Sequence, residues 1–272
     1  MTGPLPAVEV RPGDAPVTGP LAAAIAEPGR WRGSPGWQVL YADLDLAERA
    51  PTARTLGLPP EADDLALVRA ALDRWGADAP CHLGGGFAVA AWDGDRVVAF
   101  RDAIGLRPLF VAQEGTRLVV GGDIRAVLAA GVSDALDPDL MVAALLDAGF
   151  RPVALGRTLL REVSEVRGGD RLVWAGRAWR TETWWGPLDV PAVPVRSVEE
   201  AGEALRAVLR EVLAEAVLGG PVGVHVSSGI DSTAVAAFAA EALGTAPAAF
   251  SWQWPPRQAP AEEHARLASV AE

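Results

Sequence analysis

Small polar residues fill the segment Ser227–Ser232, which has the sequence Ser-Ser-Gly-Ile-Asp-Ser. The apolar stretch Pro221–Val226 before it predicts a short strand, and Thr233–Leu243 after it predicts a helix. A loop at the carboxyl end of a parallel strand is where open α/β sheets bind ligands. The free amides at the start of such a helix suit a pyrophosphate, and the serine hydroxyls can donate to the same oxygens. Asp231 beside a polyphosphate makes physical sense chiefly as a Mg²⁺ ligand.

The same segment has a purely structural interpretation. Ser and Asp are common at the start of helices, because their side-chain oxygens accept hydrogen bonds from free backbone amides. Gly229 would let the backbone approach phosphate oxygens closely, since glycine has no side chain. The residues alone leave both alternatives open: a nucleotide-binding loop, and a capped helix that binds nothing.

Neighbouring elements place this segment in an α/β domain. Ala248–Trp252 predicts a second strand, and the order strand, loop, helix, strand is typical of a parallel sheet. Upstream, Ser197 and Glu200 have the spacing of a capping box, in which a hydroxyl and a carboxylate satisfy the first amides of a helix. Apolar residues follow at helical spacing: Val198, Ala201, Leu205, Val208, Leu209, Val212 and Ala216.

The preceding part of the chain predicts an α+β domain with antiparallel hairpins. Trp37–Tyr41 has the pattern of a strand and Asp63–Trp75 that of a helix. Further hairpins and helices follow: Phe87–Trp92 with Arg96–Phe100, Leu109–Ala112 with Arg117–Val120, helices Ile124–Ala130 and Pro138–Asp147, and Arg171–Trp174 with Ala178–Thr183. Residues 1–36 are rich in Pro and Gly, so we expect a loosely ordered start. The prolines of Gly186–Val195 predict a linker between domains 1–190 and 191–272.

The composition excludes several classes of protein. A net charge of -11 and a pI of about 4.8 argue against a nucleic-acid-binding surface, because phosphate neutralisation needs clustered Lys or Arg. The sequence has no Lys, which excludes the lysine-dependent phosphate loop GxxxxGK[ST], and it has no Asn. No apolar run reaches the roughly 18–20 residues of a membrane span. We expect a cytoplasmic protein with no membrane or nucleic-acid partner.

Several motifs together resemble the asparagine synthetase-like family. The segment SSGIDST resembles the SGGxDS loop of the ATP-pyrophosphatases, with Ser228 in place of the first glycine. Other segments resemble family motifs and occur in the family's order. Leu83–Asp93 is similar to LxGDFAFALWD, with Gly86 in place of the acidic residue, and Arg157–Trp185 is similar to a family segment whose two prolines are replaced here by Gly168-Gly169. The remaining similarities are Arg101–Leu109 to RDxxGxRPL, Gly121–Gly131 to SExxALLAAG and Glu262–Arg266 to DExxxAR.

The resemblance implies a fold and a site. Residues 1–190 would form an Ntn-hydrolase-like antiparallel β sandwich with helices, of glutaminase type. Residues 191–272 would begin a parallel-sheet ATP-pyrophosphatase domain of the adenine nucleotide alpha hydrolase-like class. ATP and Mg²⁺ are the implied ligands, with Asp231 on the metal. Trp252 is included because it ends the next strand, where the family's backbone contacts adenine. The predicted nucleotide-binding residues are Val226, Ser227, Ser228, Gly229, Ile230, Asp231, Ser232 and Trp252.

The front domain departs from the family's glutaminase. That enzyme uses a cysteine exposed after Met removal, whereas this sequence begins Met1-Thr2-Gly3. The family's Asn-Gly pair, which polarises the glutamine amide, has no counterpart in a sequence without Asn. Cys81 precedes an internal strand and is predicted to be a small core residue. His225 lies within a predicted strand and is predicted to be a packed histidine rather than a catalytic base. We therefore expect no glutamine hydrolysis.

Without an ammonia supply, the activated carboxylate must meet an amine already in the substrate. The resemblance then favours β-lactam synthetases and lasso peptide macrolactam cyclases, and Asp43–Leu46 with Leu56–Pro60 is similar to the cyclases' front domain. ATP would adenylate a carboxylate of a precursor peptide or a small molecule, with release of pyrophosphate. A leader-peptide-binding protein and a peptidase are implied partners. Two alternatives stay open: asparagine synthesis, and a non-catalytic binding remnant.

Family members place a catalytic lysine and a second Mg²⁺ carboxylate further along the synthetase domain. We expect the catalytic residues beyond Glu272, either in sequence that follows or in a second chain that completes the domain. We accordingly expect residues 1–272 alone to be nearly inactive.

Overall fold

The computed structural model describes residues 36–146, 156–175, 178–218, 220–227 and 229–252. Nearer the amino terminus it describes the backbone of three strands, Ala7–Glu9, Val17–Thr18 and Ala22–Ala26. The chain divides into two compact units, Met1–Pro191 and Ala192–Glu272. Among the described residues, no helix is both long enough and apolar enough to cross a bilayer.

A six-stranded sheet is the larger of two sheets in the first unit. Its neighbours are antiparallel except for the outermost pair, β2 with β4, which is parallel. The strands in spatial order are β11 (Trp179–Thr183), β10 (Asp170–Trp174), β6 (Val97–Arg101), β5 (Gly84–Trp92), β4 (Gln38–Ala47) and β2 (Val17–Thr18).

The second sheet of this unit has five strands. It is antiparallel except for the pair β1 with β3 at one edge. In spatial order its strands are β1 (Ala7–Glu9), β3 (Ala22–Ala26), β8 (Arg117–Gly121), β7 (Phe110–Glu114) and β9 (Val163–Glu165).

Four α-helices accompany these sheets: α1 (Arg49–Leu56), α2 (Asp64–Trp75), α3 (Ile124–Ala129) and α4 (Pro138–Leu146). A 3₁₀ segment, Gly76–His82, joins α2 to β5. Asp63 caps α2 through its carboxylate, which accepts the amide of Ala66 at 2.8 Å.

Alternation along the strands assigns the layers. In β5, Ala88, Ala90 and Trp92 pack toward the five-stranded sheet, whereas Phe87 and Val89 pack toward α1 and α2. The outer face of the five-stranded sheet packs against α3. The four layers are therefore helices, sheet, sheet and helix, and the predicted antiparallel sandwich with helices is confirmed.

The hairpin of β5 and β6 shows how the sequence fixes a turn. Asp93 Oδ1 accepts the amides of Asp95 and Arg96 at 3.0 and 2.9 Å. Gly94 has a φ of 108°, a conformation that only glycine adopts readily. The three predicted hairpins all form, with ends that shift by up to three residues.

Two predictions for the first unit were incomplete. β4 continues six residues beyond the predicted Tyr41, because Asp43–Leu46 alternates polar and apolar side chains as a strand does. The expectation of a loosely ordered start also missed the backbone pairing of Ala22–Ala26 with β8. A run of alanines offers no periodic signal from which that pairing could be read.

The described part of the second unit forms two helices and a two-stranded parallel sheet. The elements are α5 (Val198–Ala216), β12 (Gly223–His225), α6 (Ile230–Leu243) and β13 (Ala248–Phe250). β12 and β13 pair in parallel, with His225 opposite Phe250. The predicted strand, loop, helix, strand order is confirmed. Among the described residues of this unit, the buried apolar ones are Val224, Val226 and Ala239.

Candidate functional site

The loop after β12 leads directly into α6, which begins at Ile230, three residues earlier than predicted. Asp231 and Ser232 therefore lie in the first turn of the helix, where Asp and Ser are favourable. Gly229 occupies the capping position and offers no side-chain acceptor. Among the side chains that the structure describes, none caps the first amides of α6, which leaves these amides available to an anion.

Two serine hydroxyls hold this loop together. The amide of Ser227 donates to Ser232 Oγ at 2.9 Å, and the two hydroxyl oxygens are 2.9 Å apart. The amide of Gly229 donates to Ser227 Oγ at 3.2 Å. Both hydroxyls are engaged within the loop, so they position its backbone. Ser228 lies outside the described residues.

Asp231 presents an exposed carboxylate beside these amides. Among the described residues, no three His, Cys, Asp or Glu side chains gather closely enough to hold a metal ion. A Mg²⁺ ion at Asp231 would therefore need further ligands, such as phosphate oxygens, water and the second carboxylate expected beyond Glu272. Mg²⁺ commonly binds in this way, through one or two carboxylates and a polyphosphate.

Trp252 and the loop lie at the same edge of the parallel sheet. β12 and β13 run in parallel, and the amide of Val226 donates to the carbonyl of Phe250 at 2.7 Å. Ser227 and Trp252 follow these two residues at the carboxyl ends of adjacent strands, which is where such sheets bind ligands. Trp252 is 86% exposed and Val226 is buried. The side chain of Val226 therefore packs in the interior, and only its backbone is available at this edge.

These residues fit a magnesium nucleotide. Uncapped amides suit the phosphates, an exposed carboxylate suits the metal, and an indole at the same edge suits a base. Among the described residues, an added Cβ at Gly229 would meet Ser227 Oγ alone, at 3.2 Å.

In the first unit, Asp102 organises the segment Arg101–Leu109. Asp102 is 1% exposed and its carboxylate accepts three amides, those of Leu106 at 2.8 Å, Arg107 at 3.0 Å and Phe87 at 3.3 Å. Arg101, also buried, contacts Glu165 at 2.6 Å and donates to the carbonyls of Val166 and Gly105. This segment therefore has a structural role in joining the two sheets.

Gly86 lies beneath the side chain of Arg107. A Cβ at Gly86 would come within 3.4 Å of Arg107 Nε and 3.3 Å of Leu106 Cβ. Asp45 stands directly opposite Gly86 across β4 and β5, and its carboxylate contacts Arg107 at 2.9 Å. The carboxylate of Asp45 in β4 thus lies beside Gly86, the position at which the family motif LxGDFAFALWD has an acidic residue.

Two side-chain predictions were wrong. Cys81 and His225 are exposed, whereas both were expected to be packed. Partial burial and the carboxylate of Asp78 raise the pKa of the Cys81 thiol. A raised pKa keeps less thiolate at neutral pH, which disfavours Cys81 as a nucleophile. We expected packing because Cys81 precedes a strand and His225 lies within one. Cys81 instead belongs to a 3₁₀ segment at the surface.

Two family models match different parts of the chain. Residues 60–185 match a glutamine amidotransferase domain, and residues 204–272 match asparagine synthase. The matches follow the order of the two compact units and include the loop at Asp231. The predicted segment Glu262–Arg266 falls in the second match but outside the described residues.

Curated relatives carry amidase and asparagine synthetase names. The amidase chry2 of Gibberella zeae is 31% identical over 64% of this chain, and the amidase chyE of Penicillium rubens 29% over 66%. The glutamine-hydrolysing asparagine synthetase 3 of Bacillus subtilis is 29% identical over 64% of the chain. The aligned region covers 26%, 27% and 29% of these relatives, so this chain spans little more than a quarter of their length.

Solved structures show only a distant likeness. A glutamine phosphoribosylpyrophosphate amidotransferase from B. subtilis has a TM-score of 0.38 at 17% identity, covering 76% of this chain and 44% of its own. An allosteric regulatory enzyme of purine biosynthesis has a TM-score of 0.40 at 14% identity, with coverage of 85% and 49%. Matches at this level carry no inference about chemistry.

Proposed function

We propose that this chain, which belongs to the asparagine synthase-like family, is part of an ATP-dependent ligase that joins a carboxylate to an amine. Proteins of this family form amide bonds or transfer amide nitrogen. The observation that carries the proposal is the loop Ser227–Ser232, where uncapped amides and an exposed Asp231 lie at the carboxyl edge of a parallel sheet. This is the part of the chain that matches asparagine synthase.

In the proposed reaction, a carboxylate oxygen of the substrate attacks the α-phosphorus of ATP, and pyrophosphate leaves. The amine then attacks the acyl carbon, and AMP leaves as the amide bond forms. The amides at the start of α6 would hold the departing phosphates, whose charge the helix dipole offsets. Asp231 would hold Mg²⁺, which offsets further phosphate charge. Trp252 would contact the adenine base.

We propose an amine within the same substrate as the acceptor, as in macrolactam formation by lasso peptide cyclases. The absence of Asn from the sequence supports this, because the family's glutaminase uses an Asn-Gly pair. The ion pair of Arg107 with Asp45 also supports an amine within the substrate. This pair fills the space beside Gly86, where the family's glutaminase motif has an acidic residue. Holding both reacting ends in one molecule can lower the barrier by roughly 7–11 kcal/mol.

Asparagine synthesis is the second candidate, favoured by the relationship to the Bacillus subtilis asparagine synthetase. It differs in substrate, because aspartate would then be activated and free ammonia or glutamine would supply nitrogen. A binding remnant, the third possibility, would retain the fold without affinity for ATP.

We also propose that further polypeptide of the synthetase type completes the second unit. Parallel sheets occur with both faces covered, and two strands rarely form a stable sheet alone. Here all three residues of β13 are exposed. Apolar residues also line an exposed stripe of α5: Val198, Leu205, Val208 and Val212. The missing lysine would come from that polypeptide, supplied by a second chain or by further sequence.

ATP–pyrophosphate exchange by the completed synthetase, rather than by residues 1–272 alone, tests the proposed function. Exchange that depends on a peptide with a free amino terminus and an internal Asp or Glu supports macrolactam formation. Exchange with aspartate alone supports asparagine synthesis. If neither substrate supports exchange and the protein binds no Mg·ATP, the ligase proposal is wrong. The interpretation that then holds is the non-catalytic binding remnant.

A further inference from the structure

A cavity of about 350 Å³ opens between the two sheets of the first unit. It lies on the side where β9 ends one sheet and β11 ends the other. The volume falls within the range of about 300–1,000 Å³ that is usual for ligand cavities. Most of its lining comes from the segment Arg157–Trp185, whereas Gly86 and Arg107 do not contribute to the lining.

The floor of the cavity is apolar. Val111, Val166 and Leu172 are each no more than 5% exposed, and the indole of Trp179 packs against the same core. Ser164 and Thr181 add hydroxyl groups to the walls. Such a lining favours an apolar group, with a few polar contacts to orient it.

The charges around the cavity compensate one another. Every ionisable side chain in the lining has an oppositely charged partner: Glu165 with Arg101, Asp170 with Arg167, and Arg157 with Asp137. Asp170 also accepts the hydroxyl of Thr183 at 2.8 Å. Because each of these charges already has an opposite partner, the lining offers no unpaired charge to an anion or a cation, and it favours an uncharged occupant.

Among the described residues, one strand that borders the cavity, β11, has an open edge. β9 is covered on its outer side, where the amide of Glu165 donates to the carbonyl of Gly156 at 2.9 Å. Among the described residues, β11 pairs with β10 alone. Trp179 and Thr181 face the cavity, whereas Glu182 lies on the opposite face against Arg171 at 2.8 Å. An open edge can bind an added strand through its backbone groups.

We propose that an extended peptide segment of another polypeptide adds to β11 as a further strand and places one bulky, uncharged apolar side chain in the cavity. Backbone hydrogen bonds to β11 supply part of the affinity, and the apolar side chain supplies selectivity. The proposal goes beyond the proposed ligase function and does not depend on ATP binding.

A synthetic peptide tests it directly. The probe is a blocked heptapeptide of alternating Thr and Val with Phe at the centre, whose Val and Phe side chains share one face of a strand. We expect binding to the whole chain by isothermal titration, with changes in the NMR signal of the Trp179 indole. Replacing the Phe by Asp should weaken binding at least about tenfold. Replacing a neighbouring Thr by Pro should also weaken it, because Pro cannot donate to the edge.

Matched variants locate the site. Thr181→Trp fills the cavity and should abolish binding, whereas Arg180→Trp, on the opposite face of β11, should leave it unchanged. Ser164→Phe fills the cavity from the five-stranded sheet and replaces Thr181→Trp as the test variant if Thr181→Trp does not fold. Circular dichroism and thermal melting show whether each variant is folded. The proposal is overturned if the Phe-centred heptapeptide binds with a dissociation constant above about 1 mM. It is also overturned if Arg180→Trp abolishes binding while both cavity-filling variants preserve it. It is also overturned if N-acetylphenylalaninamide binds as tightly as the peptide, because the cavity would then be a small-molecule site.

Discussion

The amide of Ser227 donates to Ser232 Oγ at 2.9 Å, so one hydroxyl connects the end of β12 to the first turn of α6. The hydroxyl of Ser227 lies 2.9 Å from the same oxygen. Ser232 therefore fixes the path of the loop. The sequence suggested that its hydroxyl would contact phosphate, whereas the hydrogen bonds indicate that the hydroxyl positions the loop.

Ser232→Ala should weaken Mg·ATP binding about fivefold. The variant removes the acceptor of the Ser227 amide, and a hydrogen bond of this kind contributes about 1 kcal/mol. Isothermal titration provides the measurement, with Thr245→Ala as a control, because Thr245 is exposed beyond the other end of α6. Equal affinities of the two variants would contradict the positioning role.

Trp252→Ala should lower nucleotide affinity without changing the melting temperature. The side chain is 86% exposed, so little packing is lost, whereas stacking on a base contributes about 1–3 kcal/mol. Trp252→Phe keeps an aromatic ring and should retain most of the affinity. A Trp252→Ala variant that binds Mg·ATP like the unmodified chain would remove Trp252 from the site.

Asp102→Ala should destabilise the first unit by about 3 kcal/mol or more. The buried carboxylate accepts three backbone amides, and its removal leaves these donors without an acceptor. Urea unfolding gives the free energy, with Asp95→Ala as the control because Asp95 is exposed in the β5–β6 turn. A loss below about 1 kcal/mol would show that the Arg101–Leu109 segment does not depend on this carboxylate.

The described structure shows what the sequence could and could not predict. The hairpins were predictable because Asp93-Gly94 and Glu114-Gly115 combine turn residues with alternating strands on either side. The three glycines that begin β5 carry no apolar pattern, so its predicted start at Phe87 was late. Exposure was the least predictable property, since it depends on long-range packing, and Cys81 is the example.

The candidate site was predictable in its order but not in its hydrogen bonding. Residue types in Ser227–Ser232 indicate strand, loop and helix, and all three form. The engagement of Ser227 with Ser232 depends on how the helix begins, and the predicted start was three residues late. The position of Asp45 opposite Gly86 required the register of β4 and β5, which a single sequence does not specify.

Asp137 should make stability depend on pH in the acidic range. The amide of Leu140 and then the guanidinium of Arg157 hold the pKa of this carboxyl below its usual value of about 3.9. Since the folded pKa is the lower one, the stabilisation is present above pH of about 4 and is lost as the pH falls through the folded value. Asp137→Asn should therefore lose less stability than the unmodified chain between about pH 5 and 3 in urea unfolding. Parallel curves for both proteins would contradict this assignment.

The most direct test of the account is the affinity of Asp231→Ala for ATP with and without Mg²⁺. With Mg²⁺ we predict at least tenfold weaker binding than for the unmodified chain, with an unchanged circular dichroism spectrum. With EDTA we predict that the variant binds ATP as tightly as the unmodified chain or more tightly, because an unneutralised carboxylate repels phosphate. Asp189→Ala, at an exposed position of the first unit, should change neither value. Equal affinity of Asp231→Ala and the unmodified chain in the presence of Mg²⁺ would contradict the assignment of this loop as a magnesium-nucleotide site.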